Sequence, residues 1–333
     1  MSLLSVRDLH VWFDLPHGGR LHAVQGVSFD LGEGERLGLV GESGCGKTTA
    51  LLALMGLLPP NAEVAGWVAL NGRDLLSGGE DSMRPSRWTD LAMIFQGAMN
   101  ALNPVKTVGA QIVEPMEFHG TATGAVAKKE AGDLLQLVGI PASAAARYPH
   151  EFSGGMRQRA AIAMALACDP KVLLADEPTT ALDVMVQAQI LQLLESLTVD
   201  LGLALILVTH DLPLVTQVCE RAVVMYAGRV AESGPVDTLF HDPRHPYTRL
   251  LFEATPDLAG EVDVVSIPGA PPRLDRPIEG CPFEPRCDRA FDRCKVETPL
   301  PISVARSHEA ACHLNDAGAG GAGGPVPQTE GAR

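Results

Sequence analysis

Between Val40 and Thr49 the chain reads Val-Gly-Glu-Ser-Gly-Cys-Gly-Lys-Thr-Thr, so four residues separate Gly41 from the run Gly46-Lys47-Thr48. Glycines at these places let successive backbone N–H groups turn inward around phosphate oxygens, and a helix N-terminus behind them adds positive potential for the same anion. Lys47 is placed to reach β- and γ-phosphates, and the Thr48 hydroxyl to ligate Mg²⁺. The phosphate-binding run is Gly41, Ser43, Gly44, Cys45, Gly46, Lys47, Thr48 and Thr49, with Cys45 a small filler at a variable position. This is a P-loop. Its geometry requires a strand before it and a helix after it. The apolar Leu37-Gly-Leu-Val40 supplies the first, and Thr49 to Met55, stopped by Gly56 and Pro59-Pro60, the second.

Other residues could act on a phosphate held there. Val172-Leu-Leu-Ala-Asp176-Glu177 is a buried strand ending in two carboxylates, which are costly side by side unless they share a cation or protons. Ala204 to Val208 is another apolar strand, ending at Thr209-His210-Asp211. Leu91 to Phe95 is a third, ending in Gln96, whose carbonyl oxygen can reach a metal ion or a water. Ser153 is an N-cap for the helix that begins Gly154-Gly155-Met156-Arg157-Gln158, and glycines beside free helix N–H groups make a second anion site.

Ser153-Gly154-Gly155-Met156-Arg157-Gln158 resembles the signature motif of ATP-binding cassette (ABC) ATPases, and the neighbouring spacings agree with that family. The resemblance implies a P-loop α/β core with an antiparallel β-subdomain and an α-helical subdomain, and ATP hydrolysis. It further implies that Asp176 holds Mg²⁺ through water together with Thr48 and the Q-loop residue Gln96. Glu177 then polarises the attacking water, His210 contacts the γ-phosphate, and Asp183 belongs to the D-loop Pro178–Asp183. Ser153, Gly154, Gly155 and Gln158 serve the ATP of a partner subunit. Of the aromatics on the first strand, Phe13 rather than Trp12 is expected to stack on the base.

The elements follow from pattern. Leu9 to Phe13 and Leu21 to Leu31 read as antiparallel strands around His17-Gly18-Gly19, and Val64 to Leu70 as a strand ending in Asn71-Gly72. The run from there to Pro85 reads as loop. Val108 to Gly139 reads as amphipathic helices with Val126, Leu134, Leu135 and Val138 inside and Lys128-Lys129-Glu130 outside. Val186 to Asp200 reads as a helix with Ile190, Leu194, Leu197 and Leu201 on its buried stripe. The partition expected is a nucleotide-binding domain over 1–240, with its helical subdomain at about 97–160. A C-terminal extension follows over 241–315, then a disordered Gly/Ala-rich tail over 316–333.

With 26 basic and 40 acidic residues the net charge is −14, the wrong sign for a protein that tracks nucleic-acid backbones. The N-terminus lacks a signal-peptide pattern, and the most apolar runs are far short of the roughly 20 residues that span a bilayer. A cytoplasmic chain is expected, with any membrane role supplied by partner subunits.

His241 to Leu251, Ile267-Pro268-Gly269 and the cysteines after them resemble the C-terminal extension of peptide-importer ATPases, the oligopeptide and dipeptide group with its nickel-importing relatives. Phe95-Gln96 leading to Asn100-Ala-Leu-Asn103-Pro104, and Tyr148 to Met156, are similar to that group as well. This resemblance implies a pair of ATPases, the second a homologous chain, beneath two membrane permease subunits on the cytoplasmic face, driving uptake of peptides delivered by an extracytoplasmic binding protein. Nickel or another small solute is the alternative cargo. Cys281, Cys287, Cys294 and Cys312 have five, six and seventeen residues between them. Four thiolates can hold zinc or a [4Fe-4S] cluster, and spacing leaves the two open. Some members of the group carry a [4Fe-4S] cluster at matching cysteines, which implies one here, stapling a proline-rich, core-poor extension.

Overall fold

The computed structural model describes residues 2–97, 101–180, 182–254 and 267–316. The expected tail therefore lies outside the described residues except for Asp316, which accepts a hydrogen bond from Arg293 and so belongs to the folded part. Asn100 and Ala181 also lie outside them.

The chain opens with two long strands, β1 (Ser2–Asp14) and β2 (Arg20–Gly32), then β3 (Arg36–Val40), which runs into helix α1 (Lys47–Leu54). β4 (Ala62–Leu70) pairs with β1 and turns at Asn71 and Gly72, both with positive φ, into β5 (Arg73–Asp74). The run after it, expected as loop, contains a short helix α2 (Gly79–Met83), which buries Met83. β6 (Leu91–Ile94), α3 (Val108–His119), α4 (Gly124–Leu137) and α5 (Gly154–Ala165) follow. Next come β7 (Val172–Asp176), α6 (Val184–Leu201), β8 (Ala204–Val208), α7 (Leu212–Val218), β9 (Arg221–Tyr226) and β10 (Arg229–Pro235). The C-terminal part supplies α8 (Val236–His241), α9 (Pro246–Glu253), α10 (Asp292–Val296), β11 (Ile302–Ala305) and β12 (His308–Ala310).

Two sheets form among the described residues. One is antiparallel, in the order β2-β1-β4-β5; the other runs β11-β12-β10-β9-β3-β8-β7-β6. From β9 to β6 the second sheet is parallel, and its strands are almost wholly apolar because both faces are covered, one by helices and the other by α1 and the antiparallel sheet. Val208 lies level with Leu39 on one side and with Asp176 on the other, and Ile94 lies level with Ala175. The carboxyl ends of β3, β8, β7 and β6 therefore form one row, the place where open parallel sheets present their ligand-binding loops. The extension expected at 241–315 is part of this same sheet, since β12 pairs with β10.

The two expected helical stripes need correction. On α4, Ala127, Ala131, Gly132 and Leu135 are buried, Val138 at its end is buried and Leu134 packs on the same core, while Val126 is exposed. On α6, Ile190, Leu191, Leu194 and Leu197 are buried, and Leu201 at the helix end is largely exposed beside the C-cap Gly202. In both helices the small or central residues set the depth of contact, and a terminal or flanking apolar residue falls off the face.

Candidate active site

Gly41 leaves β3 with φ 145°, and a Cβ there would stand 2.2 Å from the Met225 carbonyl oxygen; at Gly46, with φ 104°, it would stand 2.5 Å from that of Ala23. The backbone itself thus excludes any side chain at either glycine. The loop curls so that the Lys47 ammonium donates to the carbonyls of Gly41 (2.6 Å) and Glu42 (2.9 Å). Cys45 is buried with its Sγ 3.6 Å from that ammonium, and burial pushes its thiol up, so it fills space rather than offering a nucleophile. Ser43 and Gly44 complete the turn into α1, and Thr49 lies in its first turn.

Thr48 donates to Asp176 Oδ1 at 3.1 Å. Asp176 is almost fully buried, and burial, with the neighbouring Glu177 charge, pushes its carboxyl up against the opposing pull of Thr48 and Lys47. A buried carboxylate in this state, paired with a hydroxyl, is a donor set suited to a hard divalent cation such as Mg²⁺.

Glu177 follows β7 with φ 43°, a left-handed conformation that is strained for a side-chain-bearing residue. That conformation places its carboxylate at a meeting point. Oε2 accepts from Gln96 Nε2 and from Thr180 Oγ1, each at 2.9 Å, and Oε1 lies 3.4 Å from His210 Nδ1. Residues from three strand ends therefore converge on one acid, and His210 remains largely exposed, facing outward. Thr180 was not singled out from sequence, although its position three residues after Glu177 is the available signal.

Ser153 caps α5 by accepting from Met156 N at 3.3 Å, and it is exposed with Gly154 and Gly155 beside it. Gly155 allows α5 to approach α6, since a Cβ there would stand 2.8 Å from Val186. Gln158, expected to serve the same partner nucleotide, is buried, and its Nε2 has no hydrogen-bond partner. Asp183 caps α6 through Val186 N at 3.0 Å. Phe13 is half-buried at the edge of the apolar cluster that contains Val24 and Cys45, whereas Trp12 stacks on His22 with ring centroids 4.6 Å apart.

A family described as "ABC transporter" matches residues 24–180, and one described as "Oligopeptide/dipeptide transporter, C-terminal region" matches residues 231–294. The chain is 46% identical over 321 residues to the dipeptide transport ATP-binding protein DppD of Bacillus subtilis (strain 168), covering 95% of each. The chain belongs to the ABC transporter ATPases, in their oligopeptide/dipeptide transporter group. It is likewise 46% identical to the oligopeptide transport ATP-binding protein OppD of Escherichia coli (strain K12), covering 90% of this chain and 89% of that one. Among solved structures, a dimeric ATP-binding cassette in a post-hydrolysis state with ADP and Pi superposes with a TM-score of 0.61 and 28% identity, covering 70% of this chain and 98% of that one. The site of this ABC ATPase thus binds and hydrolyses ATP.

The C-terminal cysteines of the ATPase are free, and Cys281, Cys287, Cys294 and Cys312 lie near enough that each of Cys281, Cys287 and Cys312 is affected by the charge of others in the group. Burial raises these three thiols, to about 11 for Cys287 and about 12 for Cys312. Among the described residues no group of three or more His, Cys, Asp or Glu is arranged to hold a metal ion. No helix among them is long and apolar enough to cross a membrane.

Proposed function

We propose that this ATPase powers uptake of dipeptides or oligopeptides through a membrane importer. The observation that carries the reading is the match of residues 231–294 to the oligopeptide/dipeptide C-terminal region, joined to 46% identity along nearly the whole length of dipeptide transport ATP-binding proteins.

In this reading Gly41, Ser43, Gly44, Gly46, Lys47, Thr48 and Thr49 cradle the phosphates, with Cys45 packed beneath them and Phe13 against the base. Thr48, Asp176 and Gln96 hold Mg²⁺, which neutralises charge on the β- and γ-oxygens when bound. Glu177 orients and polarises the attacking water; its bonds to Gln96, Thr180 and His210 fix the carboxylate before the nucleotide arrives. His210 donates toward the γ-phosphate.

Ser153, Gly154 and Gly155 serve the ATP of a second ATPase subunit. The exposure of Ser153 supports this, together with that of Val184 and Met185 just after Asp183, apolar side chains on the first turn of α6 that a partner surface would cover. Gln158, one turn further along α5, is assigned to the same signature group, with its buried Nε2 unpartnered. Of the two permease subunits, one docks on each ATPase, here at a cavity of about 510 Å³ between the segment before β6 and helix α3, lined by Arg84, Arg87, Trp88, Lys106 and the exposed Phe118. The ATPase then sits on the cytoplasmic face of the membrane. ATP drives closure of the pair only if it binds the closed state much more tightly than the open one.

Cys281, Cys287, Cys294 and Cys312 are assigned to a [4Fe-4S] cluster, with zinc as the alternative. The assignment rests on the resemblance to importer ATPases that carry such a cluster at matching cysteines, and on thiols close enough to feel one another's charge, and not on a formed ligand cage. Iron and acid-labile sulfide on anaerobically purified protein decide it, and stoichiometric zinc without sulfide rejects the cluster.

The test of the function is turnover in the assembled importer. Hydrolysis should require co-assembly with the permease subunits and rise when the binding protein carries peptide. Full turnover without partners, or stimulation by a nickel-loaded binding protein alone, overturns the peptide reading.

A further inference from the structure

Glu42, the second residue of the P-loop, is gripped on three sides. Its backbone N–H donates to Tyr247 Oη at 2.8 Å, its carbonyl accepts from the Lys47 ammonium at 2.9 Å, and its carboxylate takes two bonds from Arg286, at 2.6 and 2.9 Å. The Arg286 side chain is only 4% exposed and the Glu42 side chain 24%. The remaining donors of the guanidinium are also used, on Pro268 O (2.7 Å), Tyr226 Oη (3.2 Å) and Ile267 O (3.4 Å). The rings of Tyr226 and Phe283 lie within 6 Å of its carbon. A buried two-pronged pair with every donor occupied holds its geometry far better than a surface ion pair.

The position of Arg286 is set by the cysteine segment. It closes the short turn Glu284–Arg286, in which Glu284 N donates to Cys281 O at 3.0 Å and Cys287 N to Glu284 O at 3.2 Å. Moving either cysteine therefore moves the guanidinium. Tyr247 is fully buried on α9, packed on Tyr226 and Phe283 with ring centroids 4.6 and 5.4 Å away.

A carboxylate beside a polyphosphate site repels the ligand unless it is neutralised. Glu42 is tolerable in the loop because Arg286 neutralises it, and the same contact sets the carbonyl that orients Lys47. We propose that Arg286 and Tyr247 are positioning residues for the P-loop, acting through Glu42, and that the arrangement of the four-cysteine segment thereby sets the affinity for ATP. The coupling requires that ATP bound at the loop order the cysteine segment in return.

The test uses the full chain and ATP itself, with calorimetry for affinity and thermal melting to verify folding. Arg286→Ala should weaken ATP binding on the order of tenfold. Glu42→Gln should weaken it less, because no bare carboxylate remains. The double variant should bind no worse than Arg286→Ala, because both changes act on one contact. In the assembled importer the loss should fall on KM while kcat is held. ATP should slow amide hydrogen exchange at 281–287 in the natural chain and not in Glu42→Gln. Folded Arg286→Ala with unchanged affinity, or losses that multiply in the double variant, overturns the proposal. If Arg286→Ala does not fold, Glu42→Gln decides: unchanged affinity together with unchanged exchange at 281–287 is the overturning result.

Discussion

The Thr48 hydroxyl donates to the Asp176 carboxylate at 3.1 Å, strapping the start of α1 to the end of β7 across 128 residues of sequence. The strap keeps together the two groups assigned above to the cation, and it does so around a carboxylate whose burial disfavours its charge.

Asp176→Asn should therefore raise thermal stability in metal-free buffer while removing the extra stabilisation given by Mg²⁺ and ATP. The sign follows from linkage: a carboxyl raised above its ordinary value of 3.8 contributes fully below that pH and loses the contribution as pH climbs through the folded value. The charged form is thus a cost at neutral pH. Melting curves at pH 7 with EDTA, then with Mg²⁺ and ATP, check both halves; a destabilised metal-free variant contradicts the reading.

Glu177→Gln should keep ATP binding and lose turnover by about a hundredfold or more, the usual scale for a missing general base. The glutamine carbonyl can still accept from Gln96 and Thr180, so the site stays assembled and the ATP-bound pair should accumulate. Size-exclusion chromatography with ATP and steady-state hydrolysis are the measurements. Retained turnover removes Glu177 from its role.

Gly41→Ala meets the Met225 carbonyl oxygen at 2.2 Å in a backbone conformation that favours glycine. The expected loss is roughly 2–4 kcal/mol of unfolding free energy, combining backbone strain with overpacking. Urea unfolding without nucleotide separates this from any effect on binding.

Acid should loosen the floor of the loop. His245 is fully buried, and burial holds its imidazole down at about 4, against an ordinary 6.5, with Glu232 opposing weakly. Its Nδ1 must be unprotonated to accept from Tyr247 N at 3.0 Å. Because the unfolded chain takes up this proton first, stability present above pH 6.5 drains away as pH falls toward about 4. Denaturant midpoints between pH 7 and 4.5 should fall, and His245→Asn, whose side chain can still accept, should flatten that part of the profile.

The strand ends were readable from sequence because β3, β7 and β8 are short apolar runs, β3 closed by Gly41 and the other two by the polar Asp176 and Thr209, a pattern that burial on both faces imposes. What brings Gln96, Thr180 and His210 onto Glu177 was not readable, since it depends on strand order and on one left-handed residue. The stripes of α4 and α6 were misjudged at Val126 and Leu201, where periodicity counts an apolar residue without knowing how wide the covering surface is. Tyr247 and Arg286 were visible only as letters in a family-like extension. Nothing local ties residue 286 to residue 42, because that contact is made through the completed sheet.

Glu232 on β10 is fully buried and takes its donors from Arg244 N, His245 N and His308, all of them later in the chain. β12 then covers the outer side of β10. The P-loop precedes β12 in the chain by most of its length, yet β10 in the sheet that carries it lacks its outer neighbour until β12 is in place. Until then the chain presents an uncapped strand and a carboxylate short of its His308 donor, so β12 protects β10 from pairing with other chains.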